Sequence, residues 1–105
     1  MSDENNKKSR EVRRTNKLMV MYKMDQGQAS VLVEVLDGIS HGYTKRIQAK
    51  CLETGLMITT QSVRHIKNGN TKNWKVLNYL IEDAKQYLKT TDQVMESINS
   101  IQAGL

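Results

Sequence analysis

The side chains that carry out chemistry in most enzymes and metal sites are few in this sequence. It has two histidines, His41 and His65, and a single cysteine, Cys51, among 105 residues. These three lie far apart in the chain, and no CxxC, HxxxH or carboxylate cluster accompanies them, so their spacing does not match a zinc site. No glycine-rich phosphate-binding loop occurs, and Cys51 has no evident general base. We therefore predict that the protein is not an enzyme and that it holds neither a metal ion nor a cofactor.

Basic side chains are the remaining candidates, and they are unevenly distributed. The formal net charge is +5, from 16 lysines and arginines against 11 acidic residues. Residues 1–17 hold six basic side chains against three acidic ones, and residues 41–75 hold seven against one. Residues 18–40 and 76–105 are each net negative. Positive charge segregated in this way is typical of proteins that bind a polyanion.

The first part of the chain divides into a polar arm and an ambiguous apolar segment. Residues 1–16 lack apolar periodicity, so we predict a disordered basic arm. Residues 17–40 contain two apolar runs separated by a turn-like segment. Alternating valines at positions 31, 33 and 35 favour a short N-terminal β-hairpin, whereas the apolar spacing from position 32 to 39 favours a helix. We favour the helix over 29–39, and residues 17–24 fit either a strand or a helix.

Three further helices are predicted in the rest of the chain. Thr44 and Thr59 are suited to cap the N-termini of the first two, and Gly55 and Gly69 are suited to end them. The third segment contains neither glycine nor proline, and Trp74 at its start is expected to pack on the core. The predicted helices cover residues 43–54, 59–68 and about 73–102.

The predicted fold is mainly α, with the arm at 1–16 followed by a single domain over 17–105. Apolar residues of the long C-terminal helix repeat at spacings of three and four, beyond the length that a core of this size needs. The apolar residues beyond that length predict a homodimer that packs through the distal part of this helix. The alternative is that the distal part folds back onto residues 18–36 within one chain. The predicted dimerisation residues are Leu88, Val94, Met95, Ile98 and Ile101.

Two short helices, the first ended by a glycine and the second polar and basic, form the arrangement of a helix-turn-helix. The matching residues are Gly42-Tyr43, Ile47, Cys51, Gly55, Thr59, Ser62-Val63, Ile66, Lys67-Asn68-Gly69, Lys72-Asn73, Val76-Leu77, Leu80, Ile81 and Ala84. With these residues, positions 43–83 resemble the lambda-repressor-like class of small DNA-binding regulators found in phages and mobile elements. The resemblance implies that the second helix enters the major groove of double-stranded DNA. It also implies a transcriptional regulator or an accessory factor of a mobile element.

The side chains of this second helix suit base recognition. An arginine such as Arg64 can donate a bidentate pair to guanine, and a glutamine such as Gln61 can pair with adenine. Hydroxyl, amide and lysine side chains suit the flanking phosphates. The predicted DNA-binding residues are Thr59, Thr60, Gln61, Ser62, Arg64, His65, Lys67, Asn68, Asn70, Lys72, Asn73, Lys45, Arg46, Arg13 and Arg14.

One alternative function uses the same charge. The protein is then an adaptor or inhibitor whose basic face docks on an acidic protein partner. The low aromatic content argues against recognition of single strands by base stacking. The single cysteine fits a reducing compartment, and the sequence has neither a signal-like apolar segment nor a run of about 20 apolar residues. We therefore predict a cytoplasmic, nucleoid-associated protein with no membrane segment and no small-molecule ligand.

Overall fold

The computed structural model describes residues 3–86 and 92–103, with side chains described for 10–86 and 95–103. Helices are the only regular secondary structure in those two ranges, which confirms the mainly α prediction. The helices are α1 (Asp3–Tyr22), α2 (Gln26–Asp37), α3 (Tyr43–Glu53), α4 (Thr60–Lys67), α5 (Trp74–Lys85) and α6 (Asp92–Ala103).

The N-terminal hairpin is wrong, because both of its strands lie in helices. The turn between them is instead the start of α2, where the Asp25 carboxylate accepts a hydrogen bond from the Gln28 N–H at 2.8 Å. The Gln28 side chain accepts one in return from the Asp25 N–H, at 3.2 Å, which completes a capping box. The expected helix over 29–39 is therefore confirmed, with its start three residues earlier. Its buried side chains are Ala29, Leu32, Val33, Val35 and Leu36.

The disordered arm is also replaced by helix, since α1 begins at Asp3 and includes residues 3–16 of the predicted arm. Residues 1 and 2 lie outside the described part of the chain. Leu18 is fully buried in the core, and the Tyr22 hydroxyl accepts a hydrogen bond from the Asn73 N–H at 3.0 Å. A segment with weak apolar periodicity is thus held as a helix by tertiary contacts at its C-terminal end.

The C-terminal region is not one long helix. The Gln102 amide donates hydrogen bonds to Asn78 at 2.8 Å and to Glu82 at 2.6 Å. In a continuous helix, residues 24 positions apart would be separated by about 36 Å. α6 therefore runs back alongside α5 and packs against α2. This is the fold-back alternative, and it places Ile98 and Ile101 in the core of the same chain.

Helix α5 lies at the centre of the fold and contacts α2, α3 and α4. Its buried apolar side chains are Val76, Leu77, Leu80, Ile81 and Ala84. At its start, the ring of Trp74 packs on Tyr22 with 4.5 Å between centroids. Trp74 therefore packs on the core, as predicted.

Candidate functional site

Helix α4 is fixed at both ends by local hydrogen bonds. The Thr59 hydroxyl oxygen accepts a hydrogen bond from the Ser62 N–H at 3.0 Å, so Thr59 is the N-cap as predicted. At the other end, Gly69 has a φ of +77°, and the Asn70 N–H donates to the His65 carbonyl at 2.8 Å. These bonds satisfy helix-end groups that would otherwise need water. The orientation of the α4 side chains is therefore well defined.

The two faces of α4 differ sharply. Val63 and Ile66 are buried against the core. The opposite face is exposed and follows the i, i+3, i+4, i+7 spacing of a single helix face. Thr60, Ser62 and Lys67 are partly exposed at its edges. The exposed face consists of Gln61, Arg64, His65 and Asn68.

The link between α3 and α4 is packed against the protein. Leu56 and Ile58 contact the core, and the Gln48 side-chain amide donates to the Ile58 carbonyl at 2.9 Å. The end of α3 is closed by Gly55, whose φ is +82°, as the sequence predicted. The start of α3 differs from the prediction, because Gly42 is the N-cap and Thr44 is buried. Together these contacts fix how α3 supports α4.

The C-terminal end of α4 meets the start of α3. The Lys67 ammonium lies 5.3 Å from the centroid of the Tyr43 ring, within the range of a cation–π contact. Burial lowers the pKa of Lys67, and the positive charge of Arg14 lowers it further, while Asp37 opposes this. Burial raises the pKa of Tyr43, although Arg64 and Arg14 partly oppose this shift. Helices α1 and α4 therefore bring positive charge to the start of α3.

Helix α1 runs beside this end of α4. The Lys17 ammonium donates to the Asn70 side chain at 2.8 Å, and a Cβ at Gly69 would lie 3.5 Å from Lys17 and 3.6 Å from Leu18. Arg14 forms an ion pair with Asp37 at 2.5 Å. A groove of about 650 Å³ lies between the two elements. It is lined by Arg10, Glu11, Arg13, Arg14, Lys17, Asp37, Asn68 and Asn70.

Two of the basic lining residues, Arg10 and Lys17, were not among the predicted site residues. With Arg13 and Arg14 they follow helical spacing, a pattern visible in the sequence once residues 10–17 are taken as a helix. The structure thus places Arg13 and Arg14 on an ordered helix next to α4, and we call the four side chains the α1 basic stripe.

Arg46 was predicted to contact DNA, but the structure uses it inside the fold. Its Nε and Nη2 donate to the two oxygens of Asp83 at 2.9 and 2.8 Å. Its Nη1 also donates to the His41 carbonyl at 2.7 Å, and its Nη2 donates to the Ser40 hydroxyl at 2.8 Å. Asp83 is only 9% exposed. This fork ties the start of α3 to α5, so Arg46 is a structural residue.

The other predicted DNA-binding residues divide by their contacts. Lys45 and Lys72 are exposed, and Lys45 lines a second groove with Arg64 and Lys67. Asn73 caps α5, since its side-chain oxygen accepts from the Val76 N–H at 3.0 Å. This cap uses only the side-chain oxygen, so the predicted donation by the Asn73 amide to a DNA phosphate stays a prediction.

The predicted dimerisation residues do not form an exposed stripe. Ile98 and Ile101 are buried within the chain, and Met95 is half-buried against the same core. The side chains of Leu88 and Val94 lie outside the described residues. The argument for a coiled-coil dimer through this helix therefore loses its basis, and the homodimer itself stays a prediction.

Comparisons with family models, with curated proteins and with solved structures give no match to this chain. Within the described ranges, no helix is both long and apolar enough to cross a membrane. Among the same residues, no group of three or more histidine, cysteine or carboxylate side chains is placed to hold a metal ion.

Proposed function

We propose that this protein binds double-stranded DNA, with α3 and α4 acting as a helix-turn-helix and α4 lying in the major groove. The observation that carries the proposal is the exposed face of α4, which presents Gln61, Arg64, His65 and Asn68 on a helix fixed at both ends. Donors and acceptors of these types read base edges in the major groove, which admits one α-helix.

The surroundings of α4 supply the charge that such binding needs. The α1 basic stripe flanks its C-terminal end, and Lys45 lies at the start of α3 beside it. Basic side chains at the edges of a recognition helix neutralise phosphates and set its register on the duplex. In contrast, α6 and the exposed part of α2 carry acidic side chains such as Glu34 and Glu96.

A regulatory role is the physiological part of this proposal. The resemblance of residues 43–83 to lambda-repressor-like regulators supports a transcriptional regulator or an accessory factor of a mobile element. Such a protein would act in the cytoplasm, associated with the nucleoid. If two copies bind one site, their recognition helices would lie about 34–36 Å apart on one face of the duplex.

Duplex binding at graded salt concentrations tests the proposal. We expect affinity for mixed-sequence duplex to fall steeply with salt, with a logarithmic slope of about −0.9 per phosphate contact. Selection from a random duplex library should then enrich a short motif, and Arg64→Ala should reduce that enrichment. Salt-independent or undetectable duplex binding would contradict the proposal. Stoichiometric capture of an acidic protein in its place would favour the adaptor function.

A further inference from the structure

The groove between α1 and the end of α4 holds more positive charge than it neutralises. Four basic side chains, Arg10, Arg13, Arg14 and Lys17, line it together with two acidic ones, Glu11 and Asp37. Lys67 lies close enough for the charge of Arg14 to lower its pKa. Crowded cations of this kind attract an anion to the site, because an anion relieves their mutual repulsion.

Arg14 is a side chain of this groove whose donors are not all used. Only its Nη1 has a partner, the Asp37 carboxylate. Its Nε and Nη2 are buried and have no hydrogen-bond partner among the described residues. A guanidinium presents its donors as a planar fork that matches a phosphate with two parallel hydrogen bonds. The Nε–Nη2 edge of Arg14 is such a fork, and it is unused.

Asp37 is placed so that water can replace Arg14 as the partner of its carboxylate. Its side chain is 41% exposed, against 18% for Arg14, so water can solvate the carboxylate once it is released. Asp37 is also the last residue of α2, where the helix dipole disfavours a negative charge. Arg14 compensates that charge in the free protein.

We infer that this groove holds a phosphate group of the DNA backbone on Arg14, and that Asp37, bound to Nη1 in the free protein, keeps the Nε–Nη2 edge turned away from solvent until DNA is bound. The inference rests on the proposed function and adds a second contact region, on α1, controlled by an internal competitor. A backbone phosphate fits better than a small free anion, because the groove is open and includes Asn68 of the exposed α4 face.

Because Asp37 competes with DNA for Arg14, removal of the Asp37 carboxylate should strengthen DNA binding. Asp37→Asn frees Arg14, and we expect affinity for mixed-sequence duplex to rise by about tenfold, the effect of one charge-assisted interaction gained. Glu96→Gln, on α6 and away from the groove, makes the same change in net charge and is the matched control. It should raise affinity less than twofold, since distant charges are screened. Circular dichroism with urea unfolding verifies that both variants are folded.

Adding Arg14→Lys to the Asp37→Asn variant keeps the positive charge and removes the fork. The gain should then disappear if Arg14 binds phosphate through paired donors. An Asp37→Asn variant that gains no more than Glu96→Gln would overturn the inference.

NMR of the Arg14 Nε–Hε resonance tests the site directly in the wild-type protein, with a 16-base-pair duplex and with pyrophosphate as separate probes. We expect the duplex to move this resonance at saturation, and pyrophosphate to move it only at far higher concentration. Duplex binding that leaves the resonance in place would refute the inference while the proposed function stands. Absence of duplex binding would refute both, and a shift with pyrophosphate alone would identify a site for a small phosphate ligand.

Discussion

Replacement of Arg46 by alanine separates a structural arginine from one that binds DNA. Its guanidinium grips both oxygens of Asp83 and also reaches Ser40 and His41. The Asp83 side chain is 11% exposed, so the substitution strands a nearly buried carboxylate. Removing one partner of a fully buried pair costs about 3–5 kcal/mol. Because the Arg46 side chain is 34% exposed and water reaches the pair, we expect about 2–3 kcal/mol.

Urea unfolding followed by circular dichroism measures this loss. With a denaturant dependence of about 1–3 kcal/mol/M, the unfolding midpoint should fall by about 0.7–3 M. Lys45→Ala is the matched control, since Lys45 is the exposed neighbour of Arg46. This substitution should leave the free energy of unfolding within about 0.5 kcal/mol of wild type. Duplex affinity, measured at concentrations of urea where both variants are folded, should fall for Lys45→Ala and stay near wild type for Arg46→Ala. An Arg46→Ala protein with an unchanged midpoint and weakened duplex binding would refute the structural role.

Three further predictions concern the core and the exposed face. Ile98→Ala should lower the free energy of unfolding by about 2–5 kcal/mol without changing the molecular mass in sedimentation equilibrium. A change of that mass from dimer to monomer would instead support dimerisation through the C-terminal helix. Arg64→Ala should cost about 1–3 kcal/mol on a selected site and much less on random duplex, while Lys72→Ala should weaken both equally by fluorescence anisotropy. Burial lowers the pKa of Lys67, so this side chain loses its positive charge at a lower pH than an ordinary lysine does. As pH is raised, duplex affinity should therefore begin to fall earlier than ordinary lysine titration would give. Lys67→Arg, which stays charged, should move that fall to higher pH. An identical pH profile for the two proteins would contradict this account of Lys67.

The elements best predicted from the sequence are those whose ends are determined by residues close to them in the chain. Thr59 and Gly69 bracket α4, and Gly55 ends α3, so capping chemistry within a few residues gave α4 and the end of α3, although not its start. The exposed face of α4 followed directly, because Val63 and Ile66 had to face the core.

The errors arose where distant residues decide the structure. Residues 10–16 look disordered by composition, and contacts of α1 with the α4–α5 turn hold them in a helix. The apolar repeat of the C-terminal region continues as if through one helix, and only the need to cover the core folds α6 back. Arg46 looks like any basic residue of the central block until its partner Asp83, 37 positions later, is placed beside it. Such pairings have no signal at short range in a single sequence.

The most direct test of the central claim is a map of backbone amide shifts on addition of a mixed-sequence duplex. The account predicts that the shifts concentrate on α4 (Thr60–Lys67), on the start of α3 and on residues 10–17 of α1, and that they weaken as salt is raised. Helix α6 and the part of α2 that precedes Asp37 should stay unshifted. Shifts centred on α2 and α6, or no shifts under duplex excess at low salt, would contradict the claim that α4 binds DNA.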